Sequence, residues 1–185
     1  TPLTTSAGRL FDAVASIAGI RQVSNFEGQA AMELEFAAAD AVTDERYETA
    51  IIEPPDGSVL RTVDWAPLIT GVLDDMRAGA ARALISAKFH DTLAAAILDV
   101  AKIVGTRRVV LTGGCFQNVL LLTRAVSLLE SGGFSVYWHQ RVPPNDGGIA
   151  LGQIYAAALA RGGGRDTAAG APAARSGAFD PAIIS

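Results

Sequence analysis

The segment from Arg107 to Asn118 carries the groups best suited to bind a ligand. Its β-branched run, Arg107–Thr112, leads into Gly113 and Gly114 and then into a stretch of helical character. Glycines let a ligand approach the backbone because they lack a Cβ atom, and a helix N-terminus favours an anion. Asn118, predicted to lie one turn into the helix, can offer its side-chain amide to the same ligand. An ordinary tight turn between a strand and a helix fits the same pattern, so the residues alone leave both interpretations open.

A second segment, Val142–Gly148, places two prolines before Asn145 and Asp146 and ends in two glycines. Asn and Asp are among the residues most preferred at helix N-caps, so a structural role explains this pattern well. Alternatively, a carboxylate presented at the end of a strand can hold a metal ion or phosphate-bound Mg²⁺. The spacing favours the N-cap and keeps the metal ligand as the alternative.

Polar residues near the start of the sequence give a weaker signal. Gly8 and Asp12 fall on a predicted first helix, and Glu27 falls on the loop after it. Both carboxylates can accept hydrogen bonds from sugar hydroxyls. Charged residues in such positions are more often solvated, so from the residues alone we expect Asp12 and Glu27 to face solvent.

The cysteine and the histidines form no recognisable catalytic or metal-binding motif. Cys115 lies near a helix N-terminus, which can lower a thiol pKa, but no histidine adjoins it in sequence to activate it. His90 and His139 are too far apart in sequence to form a local metal motif. We therefore predict no nucleophilic role for Cys115, and surface or hydrogen-bonded positions for both histidines.

The elements that must position these residues follow from periodicity and turn residues. After residue 106 the order is strand, helix, strand, helix, which indicates a parallel α/β layer. An earlier hairpin, with Pro54–Gly57 as its turn, adds antiparallel strands, so we expect one mixed sheet in an α/β fold. The predicted helices are Ser6–Ile17 with Ser6 as N-cap, Gly28–Ala39, Ala66–Arg77, Ala80–Val104, Phe116–Ser131 and Gly147–Arg161, and the predicted strands are Tyr47–Glu53, Ser58–Asp64, Arg107–Thr112 and Phe134–Trp138.

Composition limits the class of protein. The chain has 185 residues, half of them hydrophobic, a net charge of −4 and one cysteine. The negative charge argues against a nucleic-acid or anionic-membrane surface, and one cysteine excludes an internal disulfide or a multi-cysteine zinc site. Charges interrupt each apolar stretch before it reaches membrane-spanning length. We predict a soluble, cytoplasmic protein with one nucleotide-binding lobe, residues 1–160, and a disordered tail, residues 161–185.

Several segments, taken together, resemble a known family. Over residues 1–160 the chain is similar to the C-terminal part of the hydrogenase maturation carbamoyltransferase (HypF) family. The resemblance is ordered along the chain and uses several independent motifs, which makes it far more specific than any one of them. The segments that carry it are Leu3–Val14, Phe26–Ala31, Phe89-His90, Thr112–Asn118 and Arg141–Gln153.

This resemblance implies a fold and an activity. The fold is the second lobe of an actin/sugar-kinase-like (ASKHA) domain, akin to the Kae1-like domain of the tRNA threonylcarbamoyl transferases. In that family, a different domain makes carbamoyl-adenylate from carbamoyl phosphate and ATP. The domain resembled here passes the carbamoyl group to the C-terminal cysteine of a partner protein, HypE, for synthesis of the cyanide ligands of nickel–iron hydrogenase.

The resemblance also implies site residues. Asp146 would match an aspartate that binds a divalent metal ion (Mg, Zn or Fe), whereas no catalytic residue is assigned. The family completes this metal site with two histidines of a His-x-x-x-His motif in the preceding lobe, and this sequence has neither that motif nor the other domains. We therefore expect negligible transferase turnover from this chain alone. The nucleotide site would be lined by Gly113, Gly114 and Asn118, with Gly8, Asp12 and Glu27 at its adenosine or sugar end.

Two alternative functions stay open at this point. An antibiotic O-carbamoyltransferase shares the carbamoyl-adenylate strategy and the fold but acts on a small-molecule hydroxyl. The forms Phe116–Asn118 and Pro143–Asp146 favour the hydrogenase family instead. A non-catalytic interaction module would use the alanine-rich helix Ala80–Val104 as a docking surface, although packing in a core explains the same apolar residues.

Overall fold

Helices and short strands alternate along the chain in an α/β fold. The computed structural model describes residues 4–39, 41–54 and 61–161. The last two helices are each preceded by a 3₁₀ turn, at Gly114–Gln117 and at Asp146–Gly148 respectively. The helices are α1 (Ala7–Ile17), α2 (Gln29–Ala38), α3 (Ala66–Arg77), α4 (Arg82–Val104), α5 (Val119–Ser131) and α6 (Ile149–Arg161), and the strands are β1 (Ala50–Ile52), β2 (Thr62–Asp64), β3 (Arg108–Leu111) and β4 (Ser135–Trp138).

The core forms around α4, which packs against α2, α3 and α5. Ile85 and Phe89 of α4 are fully buried, and Phe11 of α1 meets Phe89 edge to face with ring centroids 4.9 Å apart. Burying side chains of this size stabilises a fold by about 1.5–3 kcal/mol each. Eleven of the 23 residues of this alanine-rich helix are buried, which argues against its use as a free docking surface.

The described strands pair in two ways, as the sequence predicts. Strands β1 and β2 form an antiparallel hairpin, and β3 and β4 pair in parallel from Arg108 opposite Ser135 to Leu111 opposite Trp138. The α/β class and the mixture of parallel and antiparallel pairing are confirmed. In the part of the chain that the structure describes, however, the hairpin forms its own sheet and does not join the parallel pair.

The expectation of one continuous sheet was wrong because sequence order shows which strands are neighbours along the chain but not which edges meet. The hairpin strands are three residues each and pair with one another. An apolar groove of about 620 Å³ is lined by Val63 from the hairpin and by Val110 from the parallel pair. The predicted hairpin turn, from residue 55 onward, lies outside the described residues, as does the predicted tail from residue 162 onward.

The helix predictions hold for existence and order, with one informative error. The predicted helix Phe116–Ser131 is interrupted: a 3₁₀ turn occupies Gly114–Gln117, and α5 begins only after Asn118. Asn118 has extended backbone angles and accepts a hydrogen bond from the N–H of Leu121, so it is the N-cap of α5. Its position one turn into a helix, as predicted, was therefore wrong, because capping chemistry at this residue overrides the apolar periodicity.

The last helix stands apart from the core. No residue of α6 is buried, and its apolar side chains include Ile154 and Tyr155, which are 68% and 66% exposed. Among the described helices, none combines the length and the apolar character that crossing a bilayer requires.

Candidate functional site

The residues singled out in the sequence converge on one cleft of about 1050 Å³. The cleft lies between the start of α1, the loop before α2, and the two glycine-rich loops that follow β3 and β4. Its lining includes all seven predicted residues, namely Gly8, Asp12, Glu27, Gly113, Gly114, Asn118 and Asp146. These positions are far apart in sequence, so the fold brings separate motifs to one place.

The two glycine-rich loops are bonded directly to each other. The backbone N–H of Gly113 donates to the carbonyl oxygen of Pro144 over 3.0 Å. Gly113 has a φ of 103°, a conformation that side-chain-bearing residues rarely adopt, so its glycine is required by the turn itself. The tight turn considered in the sequence is therefore present, and its residues Gly113 and Gly114 line the cleft. Gly148 is also sterically required, because a Cβ atom there would lie 2.9 Å from the carbonyl oxygen of Pro143.

The anion-binding potential lies in the 3₁₀ turn and not at the start of α5. The first amides of α5 already have partners within the protein: Asn118 Oδ1 accepts from Leu121, and Glu35 Oε1 accepts from Leu120, at 2.8 and 3.0 Å. The backbone N–H groups of Gly114 and Cys115 have no acceptor among residues 4–39, 41–54 and 61–161. Adjacent free amides at a glycine turn can hold an anion, so they are the donors that this loop offers.

Asn118 links the 3₁₀ turn to a histidine of α4. Its side chain is only 6% exposed, and its Nδ2 lies 3.0 Å from Nε2 of His90. The carboxamide orientation follows from these partners, because Oδ1 must face the Leu121 N–H. The amide has two N–H groups, and His90 accepts one of them, which leaves the other for a ligand.

His90, predicted from the sequence to be a surface or hydrogen-bonded residue, is a fully buried, hydrogen-bonded residue. Its Nδ1 lies 2.8 Å from the carbonyl oxygen of Ser86. Burial lowers the pKa of His90 from 6.5 to about 4; the hydrogen bond to Ser86 opposes this, and the positive charge of Arg124 adds to the lowering. The sequence spacing Ser86 to His90, one helical turn, is the signal that could have indicated this bond.

The wall formed by α1 and the loop before α2 carries charged side chains. Asp12 pairs with Arg9 at 2.8 Å, and both line the cleft together with the exposed Glu27. The expectation that Glu27 faces solvent is confirmed, whereas Asp12 is only partly exposed, with 32% of its side chain accessible. Arg9 was not among the predicted site residues, although it is a cation within the cleft. A guanidinium suits a phosphate group, which makes Arg9 a further candidate contact.

The acidic residue of the second loop is free to act as a ligand. Asn145 Oδ1 accepts a hydrogen bond from the Gly147 N–H at 3.1 Å, so Asn145 is the N-cap of this turn. The Asp146 carboxylate is therefore not needed for capping, and it is exposed at the cleft. Its oxygen atoms fit one ligand of a divalent cation, but no group of three or more His, Cys, Asp or Glu residues in the described segments could hold a metal ion.

Cys115 does not have the character of a nucleophile. It is half-buried at the edge of the cleft, and burial raises the pKa of its thiol. A raised pKa keeps the thiol protonated near neutral pH, whereas the thiolate is the reactive form. This geometry agrees with the prediction made from its sequence surroundings.

Comparisons with known proteins identify the family to which this cleft belongs. A family model described as "Carbamoyltransferase, Kae1-like Domain, second subdomain" matches residues 1–153. The carbamoyltransferase HypF of Synechocystis sp. is 40% identical over 160 residues, which are 86% of this chain and 20% of that protein. The carbamoyltransferase HypF of Rhizobium leguminosarum bv. viciae is 41% identical over 157 residues, 83% of this chain and 19% of that protein.

A solved structure shares the fold as well as the sequence. The crystal structure of full-length HypF in its phosphate- and nucleotide-bound form superposes with a TM-score of 0.75 at 41% identity, over 83% of this chain and 20% of that one. The chain thus spans about a fifth of the length of the relatives that it matches. It belongs to the HypF carbamoyltransferase family, in which it corresponds to the second subdomain of the Kae1-like domain.

Proposed function

We propose that this chain forms the nucleotide-binding half of a carbamoyltransferase cleft, with carbamoyl-adenylate, made from carbamoyl phosphate and ATP, as the bound substrate. The observation that carries the proposal is the pair of free N–H groups at Gly114 and Cys115 on the cleft wall. Backbone donors held in a fixed turn stabilise phosphate oxygens without first having to reorganise. Arg9 in the same cleft is paired with Asp12, and the further N–H groups of its guanidinium suit an anionic ligand.

The wall formed by α1 and the loop before α2 suits the sugar end of the nucleotide. Asp12 and Glu27 present carboxylate oxygens, which accept hydrogen bonds from ribose hydroxyls. Gly8 lines the same cleft, and a Cβ built at this position would be in ordinary contact with Ser6, 3.6 Å away. Asp12 and Glu27 belong to α1 and the loop before α2, whereas the free amides belong to the loop after β3, so a bound nucleotide would contact separate elements of the cleft.

In the proposed reaction the acceptor is the C-terminal cysteine of a partner protein, HypE. Its sulfur attacks the carbamoyl carbon, a C–S bond forms, the C–O bond to the phosphate of AMP breaks, and the thiol proton passes to solvent. The N–H groups of Gly114 and Cys115 would hold the phosphate that leaves. Because the acceptor must stay a free thiol, a reducing cytoplasmic location is part of the proposal.

A divalent metal ion is the proposed cofactor, and Asp146 is the residue that would contribute to holding it. When bound, such an ion polarises the carbamoyl carbonyl. One exposed carboxylate is too few ligands for a stable site, so the others would come from the remainder of a longer protein. The exposed apolar side chains of α6 and the apolar groove between the two sheets support the presence of further protein surface beside this lobe.

The nucleotide proposal is tested by calorimetric titration of the chain with ATP and AMP, using paired variants at Gly114. A Cβ atom at this residue would meet only Asn145 at 4.0 Å, so Gly114→Ala is sterically tolerated and keeps the backbone N–H. Gly114→Asp adds a negative charge at the same place. We expect saturable binding by the wild type and Gly114→Ala, and loss of binding in Gly114→Asp. Equal binding by all three would show that the nucleotide does not contact this turn.

A further inference from the structure

His90 lies behind the cleft and not in its lining, yet it contacts a residue that does line it. The cleft is lined by Asn118, whose Nδ2 lies 3.0 Å from His90 Nε2. The two residues lie on elements that are separated along the chain, because His90 is on α4 and Asn118 comes after β3, directly before α5. The contact therefore joins the core helix directly to the turn that carries the free amides.

The hydrogen bonds of His90 determine its tautomer. A carbonyl oxygen can only accept, so the Ser86 carbonyl, 2.8 Å from Nδ1, requires the proton to be on Nδ1. Nε2 is then unprotonated and accepts from the Asn118 amide. This assignment also agrees with the orientation of Asn118, whose Oδ1 accepts from the Leu121 N–H.

The neighbours of His90 hold its ring in place. Phe11 and Phe89 pack edge to face against the imidazole, with centroids 5.8 and 5.5 Å away. Ser86, one turn earlier on α4, donates its hydroxyl to the carbonyl oxygen of Leu34 on α2. The imidazole is thus fixed by contacts to α1 and within α4, and it has one lone pair that points to a single donor.

Asn118 transmits this fixed position to the turn. Its backbone N–H donates to the Cys115 carbonyl at 3.3 Å, and the Phe116 N–H donates to the Gly113 carbonyl at 3.0 Å. At the other end the turn is held by the bond from Gly113 to Pro144. The two free amides, at Gly114 and Cys115, therefore lie between one anchor on the second loop and one anchor on His90.

We infer that His90 is a positioning residue: it accepts a hydrogen bond from Asn118 and thereby sets the direction of the Gly114 and Cys115 N–H groups. Its imidazole does not touch the ligand in this arrangement. The consequence for nucleotide affinity rests on the proposed function, whereas the consequence for the geometry of the turn does not.

The direct test is nuclear magnetic resonance of the ¹⁵N-labelled full chain. We expect a nitrogen–nitrogen coupling across the bond between Asn118 Nδ2 and His90 Nε2. The His90 nitrogen shifts should show a protonated Nδ1 and a bare Nε2. Absence of the coupling together with a protonated Nε2 would overturn the inference, and it would do so in the wild-type chain without any variant.

A pair of variants tests the consequence for the turn. In His90→Gln the side-chain carbonyl can still accept from Asn118, whereas in His90→Leu nothing can. We expect the amide resonances of Gly114 and Cys115 to shift in His90→Leu and to stay close to wild type in His90→Gln. Shifts of equal size in both variants would mean that the imidazole contributes only packing, which also overturns the inference. If His90→Leu does not fold, the His90→Gln spectrum decides, because preserved turn resonances are required of it.

Nucleotide titration separates this inference from the proposed function. We expect ATP to bind His90→Gln within about threefold of wild type and His90→Leu about tenfold more weakly, the effect of one misdirected hydrogen bond. If the wild-type chain binds no ATP, the proposed function fails for this chain, and the resonance measurements still decide the role of His90. If ATP binds wild type and His90→Leu equally while the turn amides shift only in His90→Leu, the amides are not ligand contacts: the proposed function is then wrong at this turn, and the positioning role of His90 stands.

Discussion

The backbone N–H of Gly113 donates to the carbonyl oxygen of Pro144 over 3.0 Å. This bond joins the loop after β3 to the loop after β4, and those strands are neighbours in the parallel sheet. Parallel strands end at the same edge of a sheet, which is where open α/β sheets bind ligands. The bond links the two loops into one wall of the cleft. A substitution that alters the backbone of one loop should therefore also shift the other loop.

Gly113→Ala should destabilise the chain even though there is room for the methyl group. Nothing lies within 4 Å of a Cβ atom built at this residue, but its φ of 103° is a conformation that favours glycine. We expect the free energy of unfolding in urea to fall by about 1–3 kcal/mol. Gly114→Ala is the matched control, because Gly114 has no positive φ, and it should change stability little. Equal effects of the two substitutions would contradict the assignment of strain to Gly113.

The sequence predicted the cleft better than the sheet. The motifs around Gly8, Gly113 and Asp146 lie at element ends, where turn and capping chemistry is local, and all of them line the cleft. The break at Asn118 was missed because apolar periodicity continues from Phe116 into α5 and conceals the cap. The role of His90 was not predictable, since its partner is 28 residues away and local spacing carries no information on that contact. Whether β2 meets β3 depends on tertiary contacts in the same way, and in the described residues the two strands belong to separate sheets.

Asn118→Asp should change the titration of His90. A carboxylate can still accept from the Leu121 N–H and cap α5, but it places a negative charge opposite His90 Nε2 in a buried site. An adjacent opposite charge favours the protonated imidazole, so we expect the pKa of His90 to rise from about 4 toward or above its ordinary 6.5. The measurement is a resonance titration of the imidazole. Asn145→Asp is the control, because Asn145 caps Gly147 and should leave the pKa of His90 unchanged.

His90 also predicts how stability depends on pH. Its pKa is lower in the folded chain than in the unfolded chain, so in acid the unfolded state binds the proton first. The stabilising effect of the neutral imidazole is fully present above 6.5 and is lost as the pH falls toward 4. Between about pH 7.5 and about pH 4.5, wild type should lose about 2–3 kcal/mol more unfolding free energy than His90→Gln. Parallel pH profiles for the two proteins would refute the buried neutral state.

A buried lysine should be important for stability at the opposite side of α4. The ammonium of Lys88 lies 2.8 Å from Asp75 and 3.1 Å from Glu45, and 4.8 Å from the ring centroid of Tyr47. Lys88→Met would leave Asp75 without its cation, so we expect a loss of about 2 kcal/mol, moderated by partial exposure of that carboxylate. Lys102→Met removes an exposed i,i+3 ion pair and should cost less than about 0.5 kcal/mol. Thermal unfolding of both variants distinguishes these cases.

Transferase turnover by the chain alone should be negligible. Its described residues provide free amides for a phosphate, but they contain no group of three or more His, Cys, Asp or Glu side chains that could hold the proposed metal. Without a metal ion to polarise the carbamoyl carbonyl, binding energy is not converted into a lower barrier. The measurement mixes the chain with carbamoyl phosphate, ATP, a divalent metal salt and HypE, and follows the mass of the acceptor. A mass increase that matches one carbamoyl group per acceptor, at a rate well above the protein-free control, would show that this lobe is sufficient for the transfer.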